Sequence, residues 1–185
     1  MPYKILTLNK TKILSLIYFT ALLGVSIVAP LFHFQPITGP IVNACLFIAT
    51  AILGVQAGIM LGLLPSLVAL SVGTLPAPLA PMVPFIMASN AIMVVVFAEA
   101  TEWLRRTKPL GGFQNSFRFF TGVILASVLK FLFLFSTSYI VIHLIAQKPI
   151  AQKASVMMSW PQLTTALLGG LLAFAVLKVF HNQKS

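Results

Sequence analysis

The chain has 185 residues, of which 59% are hydrophobic and only 8% charged, with a mean hydropathy of +1.02. A soluble domain carries about 25% charge, so there is too little polar surface here to clothe a water-facing globule; a soluble enzyme, a DNA-binding domain and a disordered tail are excluded. The 12 Lys and Arg against 2 acidic residues read as cations flanking membrane spans, since the runs between them are too apolar for a nucleic-acid surface.

A spanning helix needs about 20 mostly apolar residues, and the sequence predicts six in order. The first covers 12–31. A basic start followed by an apolar stretch is also the pattern of a signal peptide, but the chain beyond it stays membrane-like, so it is read as a retained span. The second and third cover 38–53 and 56–72, with Pro40 near the start of the second and the break between them within 54–58. The stretch 73–81 holds three prolines and no charge. Proline removes a backbone donor and fixes φ, so a connection packed into the protein is expected there. The fourth span covers 82–104, the fifth 117–145 and the sixth 160–180, with polar links at 105–112 and 147–159. No repeat or second domain is visible, so 1–185 is read as one membrane domain, an all-α integral membrane protein built as a six-transmembrane-helix bundle.

Charge sets the expected topology. With the N-terminus inside, nine of the twelve cations fall on one face: Lys4, Lys10, Lys12, Arg105, Arg106, Lys108, Arg118, Lys178 and Lys184. Lys148 and Lys153 fall on the other, and Lys130 lies within a span. Lys and Arg concentrate on the cytoplasmic side, so both termini are expected in the cytoplasm.

Lys130 calls for a reason, because a charge at mid-membrane costs about 2.5–3.5 kcal/mol on insertion scales. It is read either as facing a cavity and meeting an anionic or carbonyl group of a ligand, or as structural, through a helix carbonyl, Glu99, Asn90 or snorkelling. Depth favours Asn90. At 1.5 Å per residue, Asn90 stands about 21 Å and Lys130 about 20 Å from the inner ends of their spans, whereas Glu99 stands only about 8 Å away. Glu99 is therefore placed in the inner basic cluster with Arg105 and Arg106.

Further polar residues gather in the opposite half: Asn43, Ser89, Asn90, Ser136, Tyr139, His143, Trp160, Gln162, Thr164 and Thr165. Ser136, Tyr139 and His143 share one helix face by their spacing. Tyr139 and Trp160 equally suit an interfacial aromatic belt. The convergence of polar groups from several spans suits a small-molecule pocket with apolar walls. No nucleophile motif, metal motif or phosphate-cradling loop is present. His33, His143 and His181 lie on different segments, and two glutamates are too few for metal-dependent phosphotransfer. Cys45 lies in an apolar run and is read as a small core residue. Small residues recur at helical spacing, as in Gly58-x-x-x-Gly62-x-x-x-Ser66 and Gly169-x-x-x-Ala173, which lets helices approach closely.

Three stretches carry a resemblance to a known family: Gln35-Pro36-Ile37-Thr38-Gly39-Pro40-Ile41-Val42-Asn43-Ala44, Gly58-Ile59-Met60-Leu61-Gly62-Leu63-Leu64-Pro65-Ser66, and Pro81 to Ile86 with Ser89-Asn90-Ala91. With the size and the six spans, the chain resembles the S components of energy-coupling factor (ECF) transporters, small proteins of the bacterial plasma membrane. The resemblance implies capture of a vitamin or similar micronutrient from outside. It also implies docking on an ECF transmembrane coupling subunit with two ATPase subunits, so ATP is used by the partners and this chain binds no cofactor. The family's pocket maps to the loops 32–39, 73–81 and 147–159 and the outer parts of spans four to six. The family often docks through an Ala-x-x-x-Ala pattern in span one. Here the strict pattern is absent, and Ala21, Gly24 and Ala29 stand in its place.

The resulting expectation is a substrate-binding subunit, not an enzyme, with Asn43, Asn90, Lys130, Tyr139, His143, Trp160 and Gln162 at the site. Lys130 favours a carboxylate-bearing or carbonyl-rich ligand. Two rivals stand: a stand-alone secondary transporter or channel, and a membrane scaffold in which Lys130 and Asn90 only pair with each other. The largely apolar inner half argues against a channel.

Overall fold

A computed structural model of the protein describes residues 10–107, 113–145 and 156–182. The long helices among the described residues are, in order, α1 (Lys10–Val28), α2 (Gln35–Leu53), α3 (Val55–Ser71), α4 (Val83–Thr107), α5 (Phe113–Ile145) and α6 (Trp160–Asn182). Short 3-10 turns occupy Ala29–Phe32 and Ala77–Met82. No strand occurs among the described residues. Five of the helical segments are long and apolar enough to cross a bilayer; α3, with 17 residues, is shorter.

The helix boundaries follow local chemistry. α2 begins at Gln35, earlier than expected, because Pro36 falls in its first turn, where a missing N–H has no intrahelical partner to lose. Pro40 lies inside the same helix. The break between α2 and α3 is narrower than the predicted five residues. It is Gly54 alone, at φ 95°, a conformation that a residue with a Cβ rarely adopts. The proline-rich connection after α3 is packed inward as expected, with Leu75, Leu79 and Met82 buried.

α2 is the most buried of the long helices and α1 the least. The main core joins Leu46 and Phe47 of α2 to Leu61, Met93, Val94, Phe97, Val123, Ala126, Ala166 and Ala173, so every helix but α1 contributes a buried side chain to this cluster. Cys45 belongs to this core as a free, buried thiol. A smaller cluster of Leu75, Leu79, Met82, Val83, Leu134 and Met158 seals the end of the bundle where α1 joins α2, α3 joins α4 and α6 begins.

A buried lysine and its cavity

α5 buries one stripe: Val123, Ala126, Ser127, Lys130, Leu134 and Ser138. These residues recur at three- and four-residue intervals, the spacing of a single helix face. Lys130 is the charged member and is only 3% exposed. Its Nζ donates to Asn43 Oδ1 at 2.6 Å and to Asn90 Oδ1 at 2.8 Å. An ammonium has donors only, so both amides must turn their oxygens toward it. The Asn90 amide nitrogen then donates to the Gly62 carbonyl at 2.9 Å. One lysine thus ties α2, α4 and α5 together, and Asn90 carries the link on to α3.

Close backbone approach makes this arrangement possible. A Cβ on Gly169 of α6 would stand 2.6 Å from Asn43 Cβ and 2.9 Å from the Pro40 carbonyl. A Cβ on Gly62 of α3 would stand 3.1 Å from Asn90 Cβ. Each asparagine is therefore held from behind by a neighbouring helix that can come near only because it lacks a side chain there. The small-residue spacing of spans three and six serves internal packing.

Beside the lysine lies a cavity of about 90 Å³. Its walls include Asn43, Asn90, Lys130, Ser66, Thr38, Thr74, Gln35 and Gln162, with Pro30, Val42, Pro65, Ile86 and Met158 as apolar surface. Two hydroxyls tie the covering turns down: Thr38 donates to Ala29 O at 3.0 Å and Thr74 to Pro30 O at 2.7 Å. Gln162 donates to Met157 O at 3.1 Å. A larger cleft of about 960 Å³ opens at the other end, among Gly54, Glu102, Arg105, Arg118 and Lys178. It is remote from Lys130, and its chemistry is that of the cationic rim.

Of the residues singled out in the sequence, Asn43, Asn90, Lys130 and Gln162 come together around the cavity. Tyr139 and Trp160 do not. They are 62% and 69% exposed, and Trp160 stacks on Phe131 with ring centroids 5.8 Å apart. The reason is helical phase: nine residues beyond Lys130, at about 100° each, Tyr139 falls on the opposite side of α5. The face formed by Ser136 and Tyr139 points outward. The His143 side chain lies outside the described residues. Ser66 is the lining residue that sequence reasoning read only as a small packing position. It is buried, and its hydroxyl meets no partner.

Two further placements correct the expectation. The acid that holds Arg105 and Arg106 is Glu102, at 2.7 and 2.8 Å, and not Glu99, which is exposed. Residues spaced by three or four share a helix face, and Glu102 has that spacing to both arginines. In α1, Ala21 and Gly24 are exposed, whereas Ala29 is buried in the following 3-10 turn with its carbonyl engaged by Thr38. Of the three, Ala21 and Gly24 therefore lie on the exposed side of α1, beside Ile17, Val25 and Val28, and Ala29 does not. Among the described residues no group of three His, Cys, Asp or Glu is placed to hold a metal.

Comparison with curated proteins and with solved structures gave no match. The sequence does match a family description, ECF transporter, substrate-specific component, over residues 15–180. A helical membrane-type bundle, with a polar cavity walled by five of its helices and the turns at one end, agrees with that match. The chain belongs to the family of substrate-specific components of ECF transporters.

Proposed function

We propose that this chain captures a vitamin or similar small micronutrient from outside the cell and presents it to an ECF module for ATP-driven uptake. The module would comprise a transmembrane coupling subunit and two ATPases, and the chain itself would bind no cofactor. The observation that carries this reading is the cavity beside Lys130. A lysine paired with Asn43 and Asn90 for structure alone would need no open space next to it. The apolar walls and few convergent polar groups are those of a small-ligand site.

Six spans with both termini in the cytoplasm complete the reading. The cavity then lies near the outer face, since the cationic rim marks the inner one. α3 is about 25 Å long at 1.5 Å per residue, enough to span with help from the flanking turns. The membrane is the bacterial plasma membrane. The exposed Ala21 and Gly24 on α1 would let a coupling subunit approach closely.

Uptake tests the proposal. Cells producing the chain are compared with and without a coupling subunit and its ATPases, using as label the compound that mass spectrometry finds co-purified with the protein. Uptake that requires both is the expected result. Uptake into vesicles lacking any ATPase would instead identify a stand-alone transporter, and a stable protein complex with no ligand would identify a scaffold.

A further inference from the structure

As an ammonium, Lys130 would carry a charge that its surroundings do not balance. It is 3% exposed, and its two partners are neutral amide oxygens. The chain's two carboxylates are elsewhere: Glu102 is engaged by Arg105 and Arg106, and Glu99 is exposed nine residues along α4 from Asn90, about 13 Å at helical rise. An ammonium has three protons to donate, so one remains after the two asparagines are served. Buried charges are tolerated when an opposite charge pairs with them, and a ligand counter-ion is one of the partners such residues take within a membrane.

The rest of the cavity offers donors as well. Ser66 Oγ is buried without a partner and lines the same space. Asn43 spends its oxygen on Lys130, which leaves its amide nitrogen without a protein partner among the described residues. Thr38 and Thr74 have already given their protons to backbone carbonyls. The unspent groups nearest the lysine are thus a cationic N–H, a hydroxyl and an amide N–H, while the Gln35 amide and the Gln162 carbonyl oxygen on the same wall are left for a polar group elsewhere on the ligand. A neutral carbonyl would accept hydrogen bonds from them but would leave the charge uncompensated.

Given substrate capture at this cavity, we propose that the ligand is a compact organic monoanion whose carboxylate is the counter-ion of Lys130 and accepts from Ser66. The available space suits a small molecule. At the room one water needs, about 90 Å³ holds roughly six to nine waters, which is on the order of ten non-hydrogen ligand atoms. Filling it would also bear on the bundle, because the lysine that meets the carboxylate holds α2, α4 and α5 together.

The test uses the full-length chain in detergent and three acids, benzoate, hexanoate and cyclohexanecarboxylate, each beside its primary amide. Binding is read from the shift in unfolding temperature across a titration. At least one acid is expected to bind roughly tenfold or more tightly than its amide, as when a buried charge gains its partner. Lys130→Met should abolish that preference. Ser66→Ala, which removes only one oxygen, should weaken the acid several-fold and leave the unliganded unfolding temperature unchanged. Amides that equal their acids throughout, a panel in which no acid is preferred, or an acid preference that survives Lys130→Met would each overturn the proposal. A co-purifying ligand that is neutral, yet taken up only with the ATPases, would overturn the anion and leave the capture reading standing. Failure of ATPase-dependent uptake for every co-purifying compound would overturn capture itself.

Discussion

Lys130 is the residue on which the interior turns, and its partners differ in what their loss should do. Asn90 accepts from Lys130 with one end and donates to Gly62 with the other. Asn90→Ala removes both bonds and leaves a buried ammonium with one fewer acceptor, so it should destabilise the bundle by about 1–3 kcal/mol. Lys130→Met removes the charge and its desolvation cost together, and the two amide oxygens it exposes face a cavity with room for water. Thermal unfolding in one detergent should therefore rank Asn90→Ala below Lys130→Met. The reverse order would mean that Lys130 is chiefly a structural clamp. The Lys130–Asn90 contact was legible in the sequence because depth along a helix is a simple count. Asn43 was visible only as one of several outer polar residues, since its level relative to Lys130 depends on how α2 and α5 pack.

Among elements, α5 shows where sequence reasoning goes astray. Polar residues at Ser136 and Tyr139 share a face, and so do Ala126, Lys130, Leu134 and Ser138; only the second face is inward. In a lipid-facing helix the outer side is as apolar as the core, so hydrophobic phase does not mark the buried side. The buried charge does mark it, and phasing α5 from Lys130 places Tyr139 outside. α2 and α6 give a second test. Gly169→Leu would drive a side chain into Asn43 and the Pro40 and Ala44 backbone and should cost on the order of 1–3 kcal/mol or more, as overpacking does. Gly24→Leu is the control: no atom stands within 4 Å of a Cβ there, so its unfolding temperature should stay at the wild-type value. If α1 docks the coupling subunit, Gly24→Leu should still lose co-purification with the ECF module, whereas unimpaired co-purification would move the docking face elsewhere.

For the whole molecule, membrane class and helix order followed from composition and apolar run length, and the boundaries mostly moved by a few residues where prolines and Gly54 set them. Which compound enters the cavity was not legible, because few polar groups line it and their directions depend on packing between distant segments. Topology is open to a direct check. In a Cys45→Ala background, a membrane-impermeant maleimide applied to intact cells should label Ser71→Cys and should not label Thr107→Cys, both exposed positions; the opposite pattern would invert the orientation.

The most direct measurement is native mass spectrometry of the protein released from its membrane, wild type beside Lys130→Met. Substrate capture at the buried lysine predicts a small-molecule adduct on wild type that is missing from the folded variant. An adduct of equal occupancy on both would contradict it.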